Sequence, residues 1–502
     1  MTITGPDLQP LAKATALGQA LSAAGHGFVH WKSNSHLAQA LAGLTDIDMF
    51  ADPARQGALR ETLRVEDCLQ IVSRPWASYP DVEDWLAFDE ASGRFLHLHL
   101  HFALVTGLRR VKHLRLPWGD QLLANTSHAL DAAWPTPTPE MELLILLVRM
   151  WAKMPLWRRA FAPRLPAHVR RELDWLLGRC NAGTLQGLAA QLLPGIAPDE
   201  IAGLVRQPPP ADTEVLALSR RIYRALGTAQ RMAWPVALVT AAKLNLEAYT
   251  SKQLRKLRPQ TVTGKTVLGK GLVVSFIGSD GSGKSTVTRE IRKWLRYKLD
   301  VHGYYMGSGQ GSTRLADRLR HGFKPTSSKV KTKSGAGKPR RKPGFIGKLL
   351  SLHHLVAIRA KVRALRQAHR LAANGSIAVL DRFPQSQVFG IYDGPRLQDG
   401  QSFAWAARAE LAAFDAAEAL SPDLVVKLSI PPEVGHARKP DHNAETIRRK
   451  AEITGLLRFP HARVVVIDAA QPLDQVLLAA KRAVWQALRG TAEGEGHAKP
   501  TP

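Results

Sequence analysis

The chain has 502 residues, with 69 Lys and Arg against 42 Asp and Glu for a formal net charge of +27, and 45% of it is hydrophobic. That length exceeds what one core organises, so two or three domains are expected. Cys68 and Cys180 are the sole cysteines and lie far apart, which argues against a disulfide framework or a cysteine zinc site. No stretch reaches the roughly eighteen apolar residues of a membrane span, and the opening residues lack a charged-then-apolar leader, so a cytoplasmic location is expected.

Residues 1–135 read as mixed α/β. Helices are predicted near 11–23 and 35–41, and strands at 28–31, 46–50, 69–73, 85–88 and 95–102. Within this part Trp31-Lys32-Ser33 is followed, after twelve residues, by Asp46-Ile47-Asp48-Met49. Alternation along a strand puts Asp46 and Asp48 on one face, where they can share a magnesium ion bound to a triphosphate. Over about residues 26–102 this pattern resembles the nucleotidyltransferase fold, in which a small-residue turn precedes an Asp-x-Asp strand. The resemblance implies metal binding by Asp46 and Asp48. Lys32 departs from it by standing where a glycine is usual. The strand expected to bring a third carboxylate reads His97-Leu98-His99-Leu100-His101 instead. Its histidines share one face, which reads as a polar face, with a metal or phosphate site as the alternative. The domain is therefore read as nucleotidyltransferase-like, with catalysis lost or altered.

From 136 to 257 the apolar spacing becomes helical, with Met141, Leu144, Leu147 and Val148 forming one stripe and Leu173, Leu176 and Leu177 another. Residues 258–270, with Pro259, Gly264 and Gly269, read as a linker. Residues 271–490 then alternate between the two periods. Strands are predicted at 272–277, 303–306, 376–380, 424–429 and 463–467, and helices at 284–299, 350–373, 403–420, 432–438, 443–456 and 472–488. Such alternation predicts a doubly wound parallel sheet that binds ligands at the carboxyl ends of its strands. Residues 491–502 read as a frayed tail.

Between Asp317 and Asp381 the chain has no acidic residue and sixteen basic ones. The densest part, 324–348, reads as a solvated insertion in a Ser, Gly and Pro setting. Contact of 318–370 with an anionic membrane surface or polyanion is the alternative. Base-stacking aromatics are missing there, so sequence-specific nucleic-acid binding is not expected.

Gly278-Ser279-Asp280-Gly281-Ser282-Gly283-Lys284-Ser285-Thr286 fits a phosphate-binding loop at every required position. Glycines let the backbone point its N–H groups at phosphates, Lys284 neutralises the β/γ charge, and the Ser285 hydroxyl can ligate magnesium. The helix that follows adds its positive end. Farther on, the apolar strand ending in Asp381-Arg382-Phe383 lacks the Asp-Glu pair of motor ATPases, and no guanine-reading Asn/Thr-Lys-x-Asp occurs. Asp381 is then placed to hold magnesium or its water, and Arg382 to grip an acceptor phosphate.

Together with Pro422-Asp423-Leu424 and Pro431-Pro432-Glu433-Val434 leading to Arg438, these motifs resemble the thymidylate kinase family of P-loop kinases over about 271–488. The resemblance implies an ATP- and Mg2+-dependent phosphotransferase acting on a nucleoside monophosphate or a related small phosphorylated acceptor. It also implies a lid arginine, to be found among Arg438, Arg448 and Arg449, because the loop itself carries none. Where thymidylate kinases usually have an Arg-Glu-Pro-Gly-like segment, this chain has Tyr304-Tyr305-Met306-Gly307. A different acceptor pocket is expected. Two other readings stay open: an active N-terminal nucleotidyltransferase with a regulatory kinase module, and an ATP-binding adaptor for a polyanionic or membrane-associated assembly.

Overall fold

The computed structural model describes residues 8–154, 164–307, 345–397 and 402–495. They fall into two compact units, Met1–Thr263 and Gly264–Pro502.

In the first unit, strands β1 (Phe28–His30), β2 (Ile47–Ala51), β3 (Leu69–Val72), β4 (Val82–Asp89) and β5 (Arg94–His101) lie in the order β1-β2-β5-β4-β3. β2 and β5 are parallel and the other pairs antiparallel. Helix α1 (Pro139–Lys153) is buried around nearly its whole circumference, with Leu143 to Val148 all buried. Such a helix has to be covered on every side. Val29 and Trp31, at the end of the β1 segment, meet it from the sheet. Leu173, Leu185, Val215 and Ile222 join the same cluster from the later helices α2 (Ala167–Leu177), α3 (Ala182–Leu192) and α4 (Asp212–Ala225). The helical part after 135 therefore packs on Val29, Trp31 and Phe50 of the α/β part, while Ile47, Met49, Trp85, Leu96 and Leu98 form a second, separate core within the α/β part.

The second unit is built on β5's successors in the chain: β6 (Leu272–Gly278), β7 (Val301–Tyr305), β8 (Ile377–Asp381), β9 (Leu424–Ser429) and β10 (Arg463–Asp468). All are parallel, in the order β7-β8-β6-β9-β10. β6 is buried along its whole length, as its unbroken apolar run requires of a strand covered on both faces. Val273 and Ile277 pack with helices α6 (Phe345–Ala373), α7 (Ala404–Glu418) and α9 (Ala444–Leu456). Helix α5 (Lys284–Arg296) packs instead against the C-terminal helix α10 (Leu473–Glu495), burying Val287, Ile291 and Leu295 at four-residue spacing. The short helix α8 (Pro432–Arg438) follows β9.

Two helices run past their expected ends. α6 begins at Phe345, just after Pro343 and Gly344. α10 continues to Glu495, into the expected tail, in spite of Gly490 and Gly494. Consecutive strands β8 and β9 sit on opposite sides of β6, which opens a crevice at the carboxyl ends. Among the described residues no helix is long and apolar enough to cross a membrane.

Candidate active site

The loop from Gly278 to Lys284 leaves β6 at that crevice. Gly281 and Gly283 have φ of 85° and 77°, which glycine adopts without strain. A Cβ on Gly281 would overlap the backbone of Gly435 in α8. Ser282 Oγ donates to the Ser279 carbonyl at 2.8 Å, and Lys284 Nζ donates to the same oxygen at 2.9 Å. Ser285 stays exposed in the first turn of α5. Burial, and after it the charge of Arg382, brings the Lys284 ammonium down to about 8. A bound polyphosphate restores the proton, so triphosphate binding is expected to take up about half a proton at pH 8 and almost none at pH 6. Calorimetry in buffers of different ionisation heat measures this uptake; the same uptake at both pH values would contradict it.

Asp280 is the hub of the charges around the loop. Its Oδ2 accepts from Lys450 at 2.6 Å and lies 3.6 Å from His442 Nδ1, while its Oδ1 is 3.8 Å from Arg382 and 3.9 Å from Lys284. Burial pushes this carboxyl up. The Lys450 hydrogen bond and the charges of Lys450, Lys284 and Arg382 outweigh burial and bring it down to about 2. Lys450 lies in the sequence stretch that suggested a lid, yet the cation reaching the loop from there is this lysine and not either neighbouring arginine.

Asp381 and Arg382 end β8 beside the loop, with Asp381 in register with Phe276 and Tyr305. Burial raises the Asp381 carboxyl, against the opposing charges of Lys284 and Arg382. Its Oδ1 is buried without a hydrogen-bond donor among the described residues. An orphaned anionic oxygen next to a phosphate loop fits a magnesium ion or its water shell. Arg382 holds φ 73°, a conformation that costs a non-glycine residue about 1–2 kcal/mol and that aims its side chain across the crevice. Its guanidinium is 3.2 Å from Asp393 Oδ2, and Lys361 Nζ of α6 is 4.0 Å from Asp393 Oδ1. Gln385 fastens the Asp393 loop by donating to the Val388, Ile391 and Tyr392 carbonyls.

The three candidate lid arginines make other contacts or stay exposed. Arg438 donates to the Ala469 carbonyl at 2.8 Å and to that of Ala470 at 3.3 Å. Arg448 pairs with Glu445 and Glu452 on the exposed face of α9, and Arg449 is exposed on that helix. In the other unit, Asp48 Oδ1 is 2.8 Å from Lys32 Nζ, and Asp46 Oδ1 is 2.8 Å from His97 Nδ1. Residues 308–344, which include most of the basic insertion 324–348, lie outside the described residues.

A glycine loop joining a buried central strand to an amphipathic helix, with Lys284 folded onto it and Asp381 at the neighbouring strand end, defines a P-loop, kinase-like domain. No protein-family model matches the chain. It is 30% identical over 226 residues to the Uncharacterized ATP-binding protein YghS of Escherichia coli K12, covering 43% of this chain and 93% of that protein. It is 29% identical over 248 residues to the Uncharacterized ATP-binding protein YghR of the same organism, covering 45% of this chain and 94% of YghR. The thymidylate kinase of Lactobacillus acidophilus is 29% identical over 223 residues, covering 41% of this chain and 91% of the kinase. Through the matched region the chain belongs to the family of YghS.

Proposed function

We propose that the Gly264–Pro502 unit binds ATP with magnesium and transfers its γ-phosphoryl group to a nucleoside monophosphate or a related small phosphorylated acceptor. One observation carries this reading: Arg382 reaches both halves of the crevice, 3.8 Å from Asp280 in the loop and 3.2 Å from Asp393 beyond it. The names of YghR and YghS support ATP as the donor, and that of the Lactobacillus relative supports phosphoryl transfer.

In this reading the loop N–H groups and Lys284 hold the β- and γ-phosphates, while Arg382 and Lys361 hold the acceptor phosphate. Ser285 and Asp381 would hold the magnesium, which neutralises charge developing on the phosphates. A loose phosphoryl transition state asks for fixed cations, and Lys284, Lys450 and Arg382 supply them around Asp280. Lys450 fills the place expected of a lid arginine. Tyr305, in register with Asp381, borders the acceptor end, where thymidylate kinases usually carry a different segment, so the acceptor class extends to nucleotide-sugar precursors and glycan intermediates.

An ADP-release screen over nucleoside monophosphates, sugar phosphates and nucleotide sugars tests the proposal. At least one acceptor class is expected to stimulate ADP release well above the rate with ATP alone. If none does, phosphoryl transfer of this kind is ruled out.

A further inference from the structure

A cluster on the sheet of the Met1–Thr263 unit lies outside the residues assigned above to phosphoryl transfer. Antiparallel pairing sets Asp84 of β4 opposite His99 of β5, and alternation puts His97 on the same face as His99. Asp84 Oδ1 is 3.1 Å from His97 Nε2 and 2.9 Å from His99 Nε2. The far ring nitrogens also lie near carboxylates, and the far oxygen of Asp84 is hydrogen-bonded. Asp46 Oδ1 is 2.8 Å from His97 Nδ1, Asp48 Oδ1 is 3.5 Å from His99 Nδ1, and Ser73 Oγ donates to Asp84 Oδ2 at 2.6 Å.

Proton accounting makes this arrangement informative. A neutral imidazole has one N–H and one lone pair. If each ring turned its hydrogen towards Asp84, each Nδ1 lone pair would face a carboxylate oxygen. If each turned it outward to Asp46 or Asp48, two lone pairs and a carboxylate oxygen would converge on one point. A divalent cation at the point of convergence would be ligated by both Nε2 lone pairs and by Asp84 Oδ1 at once. Each Nδ1 then faces its outer carboxylate, the side on which ligating imidazoles are commonly oriented by a second group.

We propose that Asp84, His97 and His99 bind one divalent transition-metal ion of the Zn2+ class. Paired imidazoles favour such ions over Mg2+. Donors on a tetrahedral ion with bonds of about 2.0–2.1 Å sit roughly 3.3 Å apart, close to the distances found here. Three protein ligands leave a position for solvent or substrate, the pattern of catalytic rather than structural zinc. A cavity of about 120 Å³, lined by Asp84 and His99 with Ser73, Ser78, Tyr79 and Glu83, adjoins two of the three ligands. Asp48, His99 and His101 form a second group of converging donors. Lys32, at 2.8 Å from Asp48, already neutralises that carboxylate, which favours the Asp84 position. His101 is buried beside it with neither ring nitrogen hydrogen-bonded.

The test uses the full chain, stripped with chelator, loaded with Zn2+ or Co2+ and dialysed. About one retained ion per chain is expected by elemental analysis, with visible Co2+ absorption that excess Mg2+ does not remove. Asp84→Asn, His97→Gln and His99→Gln are expected to reduce retention to background, and Asp46→Asn to weaken affinity about 10–100-fold. Lys284→Ala, in the other unit, is expected to retain the ion fully. Circular dichroism reports folding, and if the ligand variants unfold, the wild-type Co2+ spectrum and the Asp46→Asn affinity decide the matter. A wild-type chain that retains no ion overturns the proposal, as do folded ligand variants or an Asp46→Asn chain that bind it like wild type.

Discussion

Replacing Lys284 with Ala is expected to lower phosphoryl transfer by about 10²–10³-fold, the loss typical of removing one group that stabilises developing charge, and to leave the fold intact. The free protein has little to lose with this ammonium. It is buried, the nearby charge of Arg382 opposes it, and its ionisation falls to about 8. Its hydrogen bond goes to the Ser279 carbonyl, with Asp280 at 3.9 Å. Asp280 keeps Lys450 at 2.6 Å when Lys284 is gone, so no buried carboxylate is stranded. ADP release and thermal unfolding at pH 7 check both halves. Undiminished turnover would remove Lys284 from the chemistry, and a large drop in melting temperature would make it a structural strut.

Arg382→Ala is expected to behave in the opposite way, losing activity and stability together. Asp393 is 1% exposed and would be left with Lys361 at 4.0 Å. Breaking a buried pair from one side typically costs about 3–5 kcal/mol when the surviving charge is uncompensated, and the remaining Lys361 places the expected loss at the lower end of that range. Alanine also inherits the left-handed φ of 73°, so no backbone strain is released. Adding Asp393→Asn removes the stranded charge. The double variant is expected to regain most of the stability and none of the acceptor turnover. Denaturant unfolding and acceptor kinetics on the three variants distinguish the outcomes. A single variant as stable as wild type would contradict the buried-pair argument, and a double variant with restored turnover would contradict the role of Arg382 at the acceptor.

The parts of the site that depend on neighbours along the chain were legible in the sequence. The apolar run 272–277, the glycines at 278, 281 and 283, and the four-residue spacing of Val287, Ile291 and Leu295 are local signals, and they produce a buried strand, a curled loop and an amphipathic helix. Contacts between distant residues were not legible. Lys450 meets Asp280 across 170 positions, and no period in either segment announces it. Asp393 sits in an Asp-Gly-Pro turn that signals a bend and nothing about Arg382. Asp84 faces His99 only because β4 and β5 pair in one register. One signal was available and pointed away from catalysis: Glu445, Arg448 and Glu452 have the three- and four-residue spacing of surface ion pairs on a helix. The helical core of the first unit was half visible. The unbroken run Leu143 to Val148 demands cover on all sides, but not from which elements.

Calorimetric titration of the full chain with ATP in the presence of Mg2+ tests the central claim most directly. One equivalent is expected to bind, with affinity weakened by at least about tenfold in Lys284→Ala, the factor that corresponds to losing about 1.4 kcal/mol. A wild-type chain that neither releases heat nor competes for labelled ATP would contradict the reading of residues 278–286 as a triphosphate cradle, and the proposed phosphoryl transfer would fall with it.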